Sequence, residues 1–368
     1  MALRSLRIAI IGAGAITREK HLPNLHKIQA ADIVGVCNRT RASTDKIGRE
    51  FRIPILANDW KELVNRSEVD VIWIGTNPHM HKVITLAALD AGKHVFCQAR
   101  MARNYDEAAA MYHKAIEKSG QVTMICPSPV AMRGDLYVRK LLKEGFIGRL
   151  YTVRVQALNS QFADLARPVH WRQQIEINGF NTLALGIYQE IIQRWAGSVK
   201  SVQTLAKVFI PTRTVNGSSK RYEVRVPDDL MVLVEFENGA QGTYHFSGVS
   251  RFSPSDRIEL YGSEGTLAYD VDADKLYGAR HPQEKLEEMP VPPELSRTWT
   301  VEEDFVNAVR AAQQGQPWQV SPDFYEGLKY MEFVEAVLRS AHDRVPVELP
   351  LRNEFTGHLH AADASHTA

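Results

Sequence analysis

The chain has 368 residues, 44% of them hydrophobic and 24% charged, with 44 Lys and Arg against 43 Asp and Glu. That length suits two domains rather than one, and that composition suits a buried core. A net charge of +1 leaves no electrostatic footprint for nucleic acid or an anionic membrane surface, and no apolar stretch approaches the roughly 20 residues of a membrane helix, so neither partner is expected.

Along the first third of the chain, Val/Ile-rich runs alternate with amphipathic stretches. The runs are Leu6–Ile11, Ile33–Cys37, Val69–Gly75, His94–Cys97 and Val122–Cys126; the helical stretches are Thr17–Ile28, Ala42–Phe51, Trp60–Asn65, His79–Ala91 and Tyr105–Ser119. Continuous apolar strands separated by helices predict a parallel sheet covered on both faces. Three sparse cysteines, Cys37, Cys97 and Cys126, each close such a run. They read as small buried hydrophobes rather than a disulfide framework or zinc site, and the chain as cytoplasmic.

After residue 128 the rhythm changes. A helix at Asp135–Glu144 precedes a long strand at Arg149–Leu158, and a helix is expected from Phe180 to Trp195. Strands follow at Val199–Phe209, Leu230–Glu237, Gln241–Val249, Asp256–Tyr261 and Thr266–Val271, with turn pairs Asn238-Gly239 and Glu264-Gly265 that suggest antiparallel hairpins. Helices at Val301–Gln314 and Pro322–His342 close the fold. The expected division is residues 1–128, residues 129–352, and a frayed polar tail over 353–368.

The first strand runs directly into a helix through Gly12-Ala13-Gly14-Ala15-Ile16-Thr17. The first glycine permits a tight turn and the second lets backbone approach a pyrophosphate, which the helix N-terminus then favours. The third glycine of the usual pattern is Thr17; the strand–turn–helix context makes this a dinucleotide site. At the end of the second strand, where NAD-binding sites usually carry an acidic residue, stand Asn38 and Arg39. A neutral side chain beside arginine points to NADP, with NAD as the alternative.

Further segments resemble the glucose–fructose oxidoreductase/inositol dehydrogenase (Gfo/Idh/MocA) family. They are Thr76-Asn77-Pro78-His79-Met80-His81, the stretch Ala88 to Cys97, Gly145-Phe146-Ile147-Gly148, Tyr261 to Leu267, and Val345 to Pro350. The resemblance implies an α/β fold: an N-terminal Rossmann domain and a C-terminal α/β domain with an open, mostly antiparallel sheet. It also implies a homodimer or homotetramer and an NAD(P)-dependent oxidoreductase acting on a sugar, polyol or related hydroxy compound. Thr76, Asn77, Pro78, His81 and Gln98 are then expected at the cofactor, beside Gly12, Gly14, Ala15, Ile16, Asn38 and Arg39.

The family's catalytic positions differ here. Its Glu-Lys-Pro is Gln98-Ala99-Arg100, and its helical Asp and His become Ala184 and Tyr188. Removing hydride from a carbinol needs a group to take the hydroxyl proton. Tyr188 and Asn181 would share a helix face, with His170 and Arg172 ahead of them as base and cation, and Arg100 able to bind an anionic group. For each there is a plainer reading: Tyr188 as a core tyrosine bonded to backbone, His170 as a loop histidine, Arg172 as half of a surface pair with Glu176, and Lys20 and His21 facing solvent. Two other functions therefore stand beside the dehydrogenase: glycoside processing with a transiently used, tightly bound cofactor, and a non-catalytic cofactor-binding homologue. The pairs His79/His81 and His358/His360 have no third ligand in sight, so no metal is assigned.

Overall fold

The computed structural model describes residues 5–127 and 132–351. The tail expected over 353–368, with His358 and His360, and the boundary expected at residue 128 lie outside the described residues.

Six parallel strands form the first sheet: β1 (Leu6–Ile11), β2 (Ala31–Cys37), β3 (Ile55–Leu56), β4 (Val71–Ile74), β5 (His94–Cys97) and β6 (Thr123–Ile125). Their order, β3-β2-β1-β4-β5-β6, is the doubly wound order of dinucleotide-binding domains. Every residue of β4 and β5 is buried, as a sheet sandwiched between helices requires. After β1 a π-type turn (Thr17–His21) leads into α1 (Leu22–Leu25); the other helices are α2 (Arg41–Phe51), α3 (Trp60–Val64), α4 (His81–Asp90) and α5 (Tyr105–Glu117). The chain reverses direction across the sheet between β1 and β4. Their C-terminal ends carry Gly12 and Gly75, so the crevice where such sheets bind ligands opens there.

The second sheet has nine strands. They are β7 (Leu150–Leu158), β8 (Val199–Lys207), β11 (Asp229–Phe236), β12 (Gln241–Ser247), β13 (Arg257–Gly262), β14 (Gly265–Asp270), β15 (Lys275–Arg280), β16 (Glu287–Glu288) and β17 (Val347–Glu348). A separate ribbon pairs β9 (Thr212–Thr214) with β10 (Arg221–Glu223). Only the β7–β12 pair of the large sheet is parallel. One face packs on α6 (Asp135–Lys143), α8 (Leu185–Ala196) and α10 (Phe324–Asp343) through Val153, Val155, Leu230, Val232, Tyr244 and Phe246. The alternate residues face outward, as the two-residue period of a strand dictates.

The helix expected from Phe180 is broken. A short α7 (Ile175–Asn178) ends at Gly179, and α8 begins only at Leu185. Gly179 and Leu183 both take positive φ, 61° and 48°, which a continuous helix excludes. Although it follows the second sheet in the chain, α9 (Val301–Gln313) packs on the first, placing Phe305 against Trp73 and Phe96. Among the described residues no helix is long and apolar enough to cross a membrane, and all three cysteines are free and buried.

Candidate active site

The turn after β1 is shaped by close backbone approaches. Gly12 has φ +89°, and a Cβ there would lie 2.6 Å from the Thr76 backbone nitrogen. A Cβ on Gly75 would lie 2.3 Å from both the Gly12 carbonyl and Thr17 Oγ1. The space a third glycine would give the helix is therefore supplied by Gly75 on the facing strand, which explains how Thr17 is accommodated. A Cβ on Gly14 would meet only the Gly75 oxygen at 3.9 Å, so this edge is open. Gly14, Ala15 and Ile16 are exposed, and their N–H groups have no partner among the described residues. This is a cradle of free donors at a helix start, and it fits a pyrophosphate.

Asn38 turns inward: its Oδ1 accepts the Ala13 N–H at 2.7 Å and its Nδ2 donates to Ser43. It braces the turn. Arg41 is committed to Asp45, Asn58 and the Leu56 carbonyl, whereas Arg39 is exposed. The loop after β4 carries Thr76, Asn77 and Pro78 and is fixed by buried His81. Its Nε2 lies 2.9 Å from the Thr76 carbonyl and its Nδ1 3.0 and 3.1 Å from the Arg100 and Met101 carbonyls, and the neutral ring donates from one of the two nitrogens. His81 thereby ties the cofactor loop to the segment after β5. Burial lowers its pKa below the ordinary histidine value.

His21 corrects the expectation of a solvent-facing side chain. It is fully buried, with Nδ1 2.5 Å from Glu302 and Nε2 3.1 Å from Gln98 Oε1. Gln98, Trp299 and Asn24 complete a polar cluster that clamps the π-type turn to α9. Gln98 is therefore held by the protein's own groups.

Beyond the His81 link, Arg100 enters a cavity of about 240 Å³ lined also by Asn159, Gln161, Arg172, Gln173, Ala184 and Asp228. The peptide between Ala99 and Arg100 is cis. The Arg100 guanidinium donates to the Leu183 carbonyl, and its Nε has no partner among the described residues. Burial, then the Arg172 charge, pushes it down to about 10. Arg172 lies 4.5 Å over the Trp171 ring, and burial lowers its pKa as well; its expected pairing with Glu176 does not occur, because Glu176 engages Tyr222 and Arg225. Asp228 accepts the Phe209 and Ile210 N–H groups, one on each oxygen.

The other anticipated catalytic residues do not reach this cavity. Tyr188 is buried behind it, donating to Asp256 at 2.7 Å and packing on Phe246. Burial and the Asp256 charge raise its pKa well above the ordinary tyrosine range, which removes it from acid–base exchange. The cavity side of α8 presents Ala184, at its cap, and Ile187. Asn181 precedes α8 rather than sharing a face with Tyr188, and it donates to the Ala102 and Asn178 carbonyls. His170 accepts the Arg172 N–H at Nδ1. The neutral ring, favoured by burial and by Arg172, thus carries its proton on Nε2 and serves as a cap. Arg172 alone of the four lines the cavity. Asp228 and Gln173 were missed because neither belongs to a local motif; strand pairing and a loop bring them in from distant segments.

The comparisons with known proteins follow this geometry. Residues 6–125 match the family model described as an oxidoreductase family with an NAD-binding Rossmann fold, and residues 136–268 match the GFO/IDH/MocA C-terminal domain. The chain is 27% identical over 242 residues to a levoglucosan dehydrogenase of Pseudarthrobacter phenanthrenivorans, covering 61% of each chain. It is 26% identical over 268 residues to a trans-1,2-dihydrobenzene-1,2-diol dehydrogenase of Sus scrofa, covering 71% of this chain and 73% of that enzyme. In fold it resembles a levoglucosan dehydrogenase solved with NADH and levoglucosan, with a TM-score of 0.82, 22% identity, and coverage of 95% of this chain and 100% of that one.

Proposed function

The chain belongs to the GFO/IDH/MocA oxidoreductase family, and from that premise we propose that it oxidises a carbinol of a sugar, polyol or related hydroxy compound with NAD(P)+. The observation that carries this reading is continuity. The open Gly14 edge lies against Gly75, and His81 bridges the neighbouring Thr76 carbonyl to that of Arg100, which lines the cavity. The named relatives, a levoglucosan dehydrogenase and a dihydrobenzene-diol dehydrogenase, support the substrate class. Bound at the turn, the nicotinamide supplies a two-electron hydride acceptor.

The chain's own task is to bind the alcohol and take its proton. Among the described cavity-lining residues there is no lysine, histidine or tyrosine, and Asp228 is the one carboxylate. Each of its oxygens accepts one N–H, so each keeps a lone pair for a hydroxyl. Asp228 accepts the proton in this proposal. At the adenosine end, inward-turned Asn38 and exposed Arg39 favour NADP over NAD. Three free buried thiols suit a reducing compartment, the cytoplasm.

The test follows the absorbance of reduced nicotinamide with sugars, polyols and sugar acids, using NAD+ and NADP+ in parallel. A substrate-dependent rise is expected, faster with limiting NADP+. Asp228→Asn is expected to lower kcat roughly 100- to 10,000-fold while cofactor binding is kept. No rise with any compound defeats the dehydrogenase reading; full kcat in Asp228→Asn removes Asp228 as the proton acceptor.

A further inference from the structure

Two arginines, Arg100 and Arg172, line the cavity together with Gln173. Arg100 is 5% exposed and Gln173 2% exposed. Both line the same space; Arg100 Nε and Gln173 Nε2 are themselves shielded from solvent and have no hydrogen-bond partner among the described residues. Gln173 is held in place by its own oxygen, which accepts the His170 N–H at 3.2 Å. Among the described residues no carboxylate pairs with Arg100 or Arg172; the ion pairs of the structure leave both out. Asp228, also on the cavity wall, accepts two backbone N–H groups and pairs with neither arginine.

Two like charges in one partly buried cavity repel, and an unpaired buried donor carries a desolvation cost. Such an arrangement is answered by an anion with several acceptor lone pairs. Arg172, its guanidinium carbon 4.5 Å over the Trp171 ring, is suited to it, because a guanidinium can grip a carboxylate with two parallel bonds.

We propose that this cavity binds its substrate through a carboxylate, held by Arg100 and Arg172, so that the substrate is a monosaccharide-sized polyhydroxy acid. The inference rests on the dehydrogenase reading and narrows its substrate class. Size and charge both select the ligand. A cavity of about 240 Å³ has room for a five- or six-carbon acid. A singly charged carboxylate suits two arginines, whereas a phosphate monoester, with roughly two negative charges, would bring excess charge towards Asp228. The acid's hydroxyls face Asn159, Gln161 and Asp228.

The experiment compares each of a panel of pentonates, hexonates and hexuronates with its neutral parent sugar and its phosphate ester. It reads kcat/KM with NADP+ and, independently of turnover, binding to the cofactor-loaded protein by calorimetry. At least one acid is expected to exceed its neutral parent roughly 100-fold in both readouts, the size of a charge-assisted contact. Arg172→Gln should erase that preference chiefly through KM, and Arg172→Lys should restore part of it. A neutral sugar or a phosphate ester that outperforms every acid overturns the carboxylate assignment while leaving the dehydrogenase reading intact. Calorimetric binding of an acid without any cofactor reduction supports the anion site and defeats the dehydrogenase reading. Absence of acid binding throughout the panel, in protein that still binds NADP+, overturns the inference.

Discussion

His94, at the start of β5, accepts the Val122 N–H at 2.9 Å through Nδ1 and is held neutral in the fold. Burial moves its pKa from the ordinary 6.5 to about 4. Above pH 6.5 the folded and unfolded chains are both neutral at this site, and it contributes no pH dependence. As pH falls from 6.5 towards 4 the unfolded chain takes up a proton that the folded chain refuses, so stability is lost across that window. Between about pH 7 and about pH 5 the loss should be roughly 2 kcal/mol. His94→Asn keeps an acceptor for Val122 and cannot titrate. Urea midpoints at the two pH values should therefore separate far less in the variant; equal acid sensitivity in the two proteins would show that His94 is not the source. Buried His81, shifted in the same direction, remains in both proteins and sets the residual slope.

At the scale of elements, the sequence was most readable where one physical demand dominates. Strands buried on both faces need unbroken Val/Ile runs, and β1 and β5 lie where those runs predict them, at Leu6–Ile11 and His94–Cys97. The cofactor turn was readable for a similar reason, because glycine spacing reports a backbone approach that other residues obstruct. The start of α8 was not readable. Phe180 to Trp195 carries no proline, and Ala184 caps α8 without a side-chain bond, so nothing local marks the break. The break is made by Asn178 and Asn181, each donating its amide to the other's carbonyl. That shift moved Asn181 off the helix and left Tyr188 turned to the core. Short β16 and β17, two residues each, owe their pairing to neighbours and have no pattern of their own. The cavity was hardest to foresee. Its wall is drawn from segments near residues 100, 157–162, 172–173, 183–187 and 226–228, and only tertiary folding makes them neighbours.

At the scale of the whole molecule, α10 joins the two sheets, while α9 packs on the first. The first half of α10 packs Phe324, Leu328 and Met331 with Met101 and Ile125, and its second half packs Phe333, Val334 and Val337 with the large sheet. Together with α9 it fixes Arg100, from one domain, against a cavity wall supplied by the other. Among the described residues, no helix covers the opposite face of the large sheet. Leu205, Met231 and Leu233, on adjacent strands β8 and β11, point outward, 75%, 51% and 56% exposed, an apolar patch towards one end of a long sheet. We propose that a second copy of the chain covers it, giving a homodimer or homotetramer. Sedimentation should show Leu233→Asp shifting the protein to monomer with its fold kept; a wild-type monomer at all concentrations would refute the assignment.

The central claim is that hydride passes directly from substrate carbon to a cofactor seated at the Gly12–Ile16 turn. It is tested most directly with substrate deuterated at the carbinol carbon, drawn from the acid panel and the neutral sugars, by weighing the cofactor recovered after turnover. The account predicts one deuterium on the reduced cofactor for each carbonyl product formed. Substrate consumed while the cofactor pool stays unlabelled, or no label transferred from any compound, would contradict it.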